Sequence, residues 1–79
     1  MSDGRTNYME MSTYVNKNRQ ADVVRTVGLN ENNYFGVRFH INGSPLGIEW
    51  YPTKSERYAE DAAENYVMGI KEYPSNPAL

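Results

Sequence analysis

The sequence predicts an α+β fold: an antiparallel sheet of three to four strands with one C-terminal helix packed on one face, a two-layer sandwich. Residues 34–41, YFGVRFHI, alternate between apolar and polar side chains as a strand does. The Asn42-Gly43 pair that follows is a strong hairpin signal. Residues 55–70, SERYAEDAAENYVMGI, instead repeat apolar residues at helical spacing. The sheet therefore comes first and the helix last.

The hairpin partner of the first strand is LGIEWY, residues 46–51. A two-residue turn pairs Phe39 with Leu46, and a four-residue loop shifts each partner by two and preserves the faces. We therefore expect the helix to cover one face of the hairpin, made by Phe35, Val37, Phe39, Leu46, Ile48 and Trp50. The opposite, open face is expected to carry Tyr34, Arg38, His40 and Tyr51.

Two upstream segments complete the sheet. Residues 21–29, ADVVRTVGL, have strand propensity, and Arg25 interrupts their apolar face, which predicts an edge strand. Residues 30–33, NENN, are a turn cluster. Residues 8–15, YMEMSTYV, fit both strand alternation and helical spacing, and we favour a strand.

The helix has start and stop signals. Thr53 with Glu56 forms a capping box, and Ser55 is a second candidate cap. Pro74 is expected to end the helix. The apolar stripe expected to face the sheet is Ala59, Ala62, Ala63, Tyr66, Val67 and Ile70.

Length and composition limit the function. The 79 residues predict a single domain, 1–79, with frayed tails at 1–6 and 74–79. No cysteine is present, so disulfides and thiolate chemistry are excluded. The sequence contains neither a signal-peptide pattern nor a membrane span, so we expect a soluble cytoplasmic protein without membrane contact. A net charge of −2 does not favour nucleic-acid binding.

Catalytic chemistry has little support. His40 is the only histidine, and no glycine-rich phosphate loop or nucleophile-elbow motif is present. We therefore expect no catalytic residue, no cofactor and no metal, and a protein that is not an enzyme.

The helix carries a run of carboxylates with three interpretations. They are Glu56, Glu60, Asp61 and Glu64. They form a solvated face, a contact surface for a basic partner, or a hard-cation site, which would need more oxygen ligands than Glu60 and Glu64 supply.

The open sheet face has three interpretations. Aromatic and arginine side chains on a sheet stack nucleic-acid bases. Tyrosine and arginine also anchor protein interfaces, and the net negative charge favours a protein partner. Pairing of this face, or of an edge strand, with a second copy in a homodimer is a third alternative.

Residues 35–70 resemble the second half of a double-stranded-RNA-binding domain, in which a strand, an N-G turn, a strand and an alanine-rich helix follow in order. In that family, lysines at the start of the last helix grip phosphates. The matching positions here are Lys54, Ser55, Glu56 and Arg57. Only Lys54 and Arg57 keep the charge, so RNA binding is the alternative function.

Residues 50–71, WYPTKSERYAEDAAENYVMGIK, are similar to the ending of short uncharacterised proteins of marine cyanobacterial bacteriophages. The resemblance implies a small phage accessory protein in the host cytoplasm. Such proteins commonly bind a host protein and inhibit or redirect it, which makes a host protein the expected partner.

Overall fold

The computed structural model describes residues 7–28 and 33–73. Its strands are β1 (Tyr8–Asn16), β2 (Arg19–Thr26), β3 (Phe35–Ile41) and β4 (Ser44–Tyr51), and its helix is α1 (Glu56–Val67). The strands form one antiparallel sheet in chain order, which confirms the predicted α+β fold. The tails at 1–6 and 74–79, Leu29 and turn residues 30–32 lie outside the described residues.

The two upstream strands are both present. Residues 8–15 belong to β1, as favoured from the sequence. The prediction that Arg25 marks an edge strand is wrong, because β2 lies between β1 and β3. Arg25 is the penultimate residue of β2 and stays partly exposed there, so an inner strand accommodates its charge.

The β3–β4 hairpin has the predicted turn but a different register. Asn42 and Gly43 have φ values of 52° and 81°, and Ile41 pairs with Ser44. One step further along, the register shifts: His40 pairs with Pro45, but Phe39 pairs with Gly47. Leu46 is therefore the extra residue of a β-bulge. Because strand side chains alternate between faces, this single insertion reverses the facing of the rest of β4.

The reversed facing corrects two predictions. Ile48 pairs with Arg38 and Trp50 with Gly36, so both lie on the side away from α1, and neither they nor Leu46 belong to the core. Tyr51 was expected on that side but packs against the core beside α1.

Two strand glycines fit this arrangement. A Cβ on Gly36 would lie 2.6 Å from Cε3 of Trp50, so the indole packs directly on the β3 backbone. A Cβ on Gly47 would collide with the Tyr73 ring on the other face. Glycine inside a strand is a known signal of a bulge or of a close approach, and here it signals both.

The core lies between α1 and strands β1, β2 and β3. Small helix side chains let α1 approach the sheet closely, while Tyr66 packs edge-on against Phe39 with ring centroids 4.8 Å apart. The buried core residues are Ala21, Val23, Val37, Phe39, Ala59, Ala62, Ala63, Tyr66 and Val67. Five of the six residues of the predicted helix stripe are confirmed.

The exception is Ile70, which is 76% exposed because the helix stops earlier than predicted. Gly69, with φ of 84°, donates its N–H to the Tyr66 carbonyl, and the Ile70 N–H bonds to the Asn65 carbonyl. These two bonds form a Schellman motif, so glycine rather than Pro74 ends the helix. At the other end, the cap is Ser55, whose hydroxyl accepts from the Tyr58 N–H.

The first residue of β2 caps the end of α1. The Arg19 guanidinium donates to the carbonyls of Tyr66, at 2.9 Å, and Lys71, at 3.1 Å, and pairs with Glu72. A cation here also opposes the negative end of the helix dipole. The 12 residues of α1 are too few to cross a membrane, and the described part of the chain holds no longer helix.

Candidate functional site

The side of the sheet opposite α1, here called the uncovered face, carries a connected set of charged groups. This charge network comprises Glu10 on β1, Asp22 on β2, and Arg38 and His40 on β3. Neighbouring strands bring the four together because the register places Asp22 opposite Arg38. The network is therefore a product of strand pairing rather than of any local motif.

Asp22 is the centre of the network, and its side chain is 1% exposed. Its Oδ1 accepts hydrogen bonds from Thr13 Oγ1, at 3.1 Å, and Gln20 Nε2, at 3.0 Å. Its Oδ2 accepts from Arg38 Nη2, at 3.1 Å, and lies 2.9 Å from His40 Nε2. Both carboxylate oxygens are thus fully used, as a buried charge requires.

The hydrogen bonds decide the protonation of Asp22. Burial alone would raise the pKa of this carboxyl, but the bonds from Gln20, His40 and Thr13 outweigh burial and hold the pKa below its usual value. The group is therefore a carboxylate at neutral pH and keeps the Arg38 guanidinium in place.

Arg38 connects the buried carboxylate to solvent. Its side chain is 29% exposed, and Nη2 also pairs with Glu10 at 2.8 Å. Nη1 donates to the Tyr8 hydroxyl at 3.1 Å, and the guanidinium lies 6.0 Å from the centroid of the same ring. Contacts with β1 and β2 fix this side chain while part of it stays accessible.

An aromatic cluster adjoins the network. Trp50 meets Tyr8 and Tyr34 edge-on, with ring centroids 5.8 and 5.5 Å apart. All three side chains are partly exposed. Because Tyr8 contacts both Trp50 and Arg38, the aromatic cluster and the charge network form one continuous surface.

The structure places three of the four predicted sheet-face residues on this surface: Tyr34, Arg38 and His40. Tyr51 is not among them, because the bulge turns it toward α1. Sequence reasoning missed four further members, Tyr8, Glu10, Asp22 and Trp50. The position of Trp50 could have been suspected from Gly36 and Gly47, because glycine inside a strand indicates a bulge or a close approach of another group.

The helix carboxylates differ in their surroundings. Burial first, and then the charges of Glu60, Glu64, Asp61 and Glu56, raise the pKa of the Tyr14 hydroxyl on β1. Of the four, Asp61 also lines a cleft between α1 and β4. Glu56, in the first turn, is the acidic residue at the positive end of the helix dipole.

Two other kinds of site, a metal site and an RNA-binding surface, can be checked against the structure. Among residues 7–28 and 33–73, no three His, Asp or Glu side chains are grouped so as to hold a metal ion. The basic residues of the RNA-binding alternative do not share a face. Lys54 and Arg57 lie at the start of α1, while Arg38 lies on the other side of the sheet.

In comparisons with known proteins, no protein-family model matches the chain, and no curated protein or solved structure is significantly similar to it.

Proposed function

We propose that the chain is a non-enzymatic binding module that docks a partner protein on the uncovered face of its sheet. The observation that carries the proposal is the position of Trp50, outside the core and in edge contact with Tyr8 and Tyr34. Tyr8 in turn contacts the partly exposed Arg38 guanidinium. Tryptophan, tyrosine and arginine are the residue types that most often dominate the binding energy of protein interfaces.

Preorganisation supports the same function. Ordering a flexible side chain costs about 0.5–1.5 kcal/mol on association. Arg38 is already held by Asp22, Glu10 and Tyr8, so a partner meets a guanidinium that needs little further ordering. Trp50 is likewise fixed by its two ring contacts and by the backbone of Gly36 beneath it.

The charges favour a protein over a nucleic acid. The charge network has two carboxylates, Glu10 and Asp22, against the Arg38 guanidinium and the His40 imidazole. Phosphate binding needs an excess of positive charge on one face. The nucleic-acid alternative therefore lacks the electrostatic term that dominates such binding.

The carboxylates of α1 supply a second contact for a basic partner. Such charges speed association and set orientation more than they add affinity. Glu60, Asp61 and Glu64 form no ion pair within the part of the chain that the structure describes, so they are available for this contact.

The resemblance of residues 50–71 to short proteins of cyanobacterial phages supplies the biological setting of the proposal. The partner is then a host protein, bound in the host cytoplasm and inhibited or redirected by the binding.

The direct test is capture of a partner from cyanobacterial lysate on the immobilised domain. Trp50→Ala should lose the captured protein while circular dichroism stays unchanged. Ile70→Ala removes an apolar side chain that is 76% exposed and lies outside the uncovered face, so it should capture as the parent does. Equal capture by both variants would reject the uncovered face as the docking surface.

The helix contact has its own test. Reversing Glu60, Asp61 and Glu64 to lysine should abolish binding of the captured partner, with the fold preserved. If affinity stays at the parental value, the carboxylates serve only to solvate the helix.

Two controls separate the alternatives. Binding to RNA or DNA duplexes at about 50 mM salt that weakens steeply with added salt would support the nucleic-acid function instead. A dimer mass in light scattering that Trp50→Ala converts to a monomer would assign the uncovered face to pairing with a second copy.

A further inference from the structure

A cleft of about 280 Å³ lies between α1 and β4, on the side of the sheet opposite the uncovered face. It exists because α1 packs against β1, β2 and β3 and leaves the helix side of β4 accessible. From β4 it is lined by Glu49 and Tyr51, from α1 by Tyr58, Asp61, Ala62 and Asn65, and from the segment after α1 by Lys71. The sequence prediction had placed Tyr51 on the other face, so this cleft was not foreseen.

The β4 wall of the cleft is fixed and neutralised. Oε1 of Glu49 accepts a hydrogen bond from the Tyr51 hydroxyl at 2.8 Å and lies 3.0 Å from Lys71 Nζ. Burial of Tyr51 first, and then its bond to Glu49, hold the pKa of the hydroxyl far above its usual value, so it remains a donor. This wall therefore presents an aromatic ring and a paired carboxylate.

The α1 wall carries the accessible groups. Tyr58 is 45% exposed and meets Tyr51 edge-on, with ring centroids 5.0 Å apart. Asp61 lies one turn after Tyr58 on α1 and is exposed to solvent. It forms no ion pair within the described residues. An aromatic face beside an unpaired carboxylate is a combination that attracts organic cations.

Two lysines of the chain already lie against aromatic rings in this region. The Lys54 ammonium lies 5.1 Å from the centroid of the Tyr58 ring, and Lys71 lies 5.7 Å from the Phe39 centroid while pairing with Glu49. Of these two rings only Tyr58 lines the cleft, so the aromatic face of the α1 wall already contacts a cation. Lys54 lies in the exposed segment before α1, so another cation can take its place.

The size of the cleft limits the ligand. A cleft of about 280 Å³ lies at the lower end of the range of ligand sites, about 300–1,000 Å³, and has room for one side chain. A guanidinium is planar, stacks on aromatic faces and pairs with carboxylates, whereas an ammonium is a more strongly hydrated point charge. These properties select arginine among the basic side chains.

We propose that the cleft between α1 and β4 receives one arginine side chain of a partner protein, with its guanidinium on the Tyr58 ring and paired with Asp61. The guanidinium displaces Lys54 from the ring. The site is independent of the uncovered face, so either can fail while the other stands.

The test is an NMR titration of the ¹⁵N-labelled domain with a blocked Gly-Arg-Gly peptide. The amide signals of Tyr58, Asp61 and Asn65 should shift. The same peptide with citrulline, which keeps the shape and loses the charge, should leave them unchanged. Shifts confined to other residues, or equal shifts with citrulline, would overturn the proposal.

Two matched variants test which carboxylate pairs with the guanidinium of the peptide. Asp61→Asn should weaken the peptide about five-fold, the effect of losing one exposed ion pair. Glu72→Gln removes an exposed carboxylate that does not line the cleft and should leave the affinity within about two-fold. Equal weakening by both would assign the binding to the overall negative charge of the domain and reject the cleft.

Tyr58→Leu tests the contribution of the aromatic ring, because it changes the affinity for the peptide without changing any charge. It keeps an apolar side chain at the site but removes the ring face, so the affinity for the arginine peptide should fall. Parental affinity in this variant would eliminate the stacking contact on which the choice of arginine rests.

Discussion

Replacing Asp22 with asparagine should be among the most destabilising isosteric changes on the uncovered face. The side chain is 1% exposed and accepts hydrogen bonds on both carboxylate oxygens. Asparagine retains one acceptor oxygen and puts an NH₂ group where the other oxygen was. If the remaining oxygen serves Thr13 and Gln20, the NH₂ group faces the Arg38 guanidinium, donor against donor.

The cost follows from the lost bonds. Hydrogen bonds to charged groups contribute about 1.5–3 kcal/mol each, and Oδ2 of Asp22 accepts from both Nε and Nη2 of Arg38. Arg38 is 29% exposed and keeps Glu10 as a partner, so water and this carboxylate recover part of the loss. We expect Asp22→Asn to lower the free energy of unfolding by about 3 kcal/mol.

That loss is large for this chain. At about 0.05–0.15 kcal/mol per residue, 79 residues give a total stability of about 4–12 kcal/mol. In a domain of this size each kcal/mol shifts Tm by about 4–8 °C, so the variant should melt about 12–24 °C lower. Thermal and urea unfolding followed by circular dichroism measure both quantities.

The control is Asp61→Asn, which makes the same chemical change at an exposed position on α1. It should change stability by no more than about 0.5 kcal/mol. If Asp22→Asn melts within 2–3 °C of the parent, by the ~4–8 °C per kcal/mol scale, the charge network does not stabilise the fold. The fixed position of Arg38 would then need another explanation.

Acid provides a second check on the same residue. The folded-state pKa of Asp22 lies below its ordinary value of about 3.9, so its stabilising effect is complete above that pH. The effect is lost as pH falls through the folded-state pKa, where the carboxyl becomes protonated in both states. The stability difference between parent and Asp22→Asn should therefore be full at neutral pH and shrink below about pH 4. A difference that stays constant down to pH 2–3, well below the ~3.9 reference, would show that charge is not its source.

Three further changes test the packing. Gly36→Ala should cost about 1–3 kcal/mol and shift the emission of Trp50, because the new Cβ would lie 2.6 Å from the indole; unchanged fluorescence would contradict the close approach. Arg19→Met removes the bonds to the carbonyls of Tyr66 in α1 and of Lys71 beyond it and should cost about 1–3 kcal/mol in urea unfolding, whereas Lys17→Met in the adjacent β1–β2 turn should have little effect. Tyr66→Phe deletes the hydroxyl that donates to a β3 carbonyl at 3.0 Å and should cost about 1 kcal/mol; a neutral result would mean that the bond adds nothing.

The elements with local causes were predictable. Asn42-Gly43 sets the hairpin turn because both positions adopt positive φ, which these residue types tolerate. The alanine-rich stripe of α1 faces the core because its spacing is helical, and Ser55 caps the first turn. Gly69 could also have been recognised as the helix stop, since a glycine near the end of a helical pattern is a local signal.

The candidate site could not be predicted, because it depends on the register of strand pairing, which no local sequence pattern specifies. A single bulged residue, Leu46, moves Trp50 from the expected core to the uncovered face and Tyr51 in the opposite direction. Asp22 and Arg38 are 16 residues apart and meet only because β2 and β3 pair in one register.

The sequence by itself determined the fold class, the hairpin turn and the apolar side of α1. Each of these depends on backbone preferences and periodicities that act within a few residues. Tertiary structure alone decided which face of the sheet carries Trp50, that β2 is an inner strand, and that a cleft opens beside β4. The physical reason is the period of two in a strand: one inserted residue reverses every later side chain, and packing against Gly36 and Gly47 on the two faces accommodates the reversed strand.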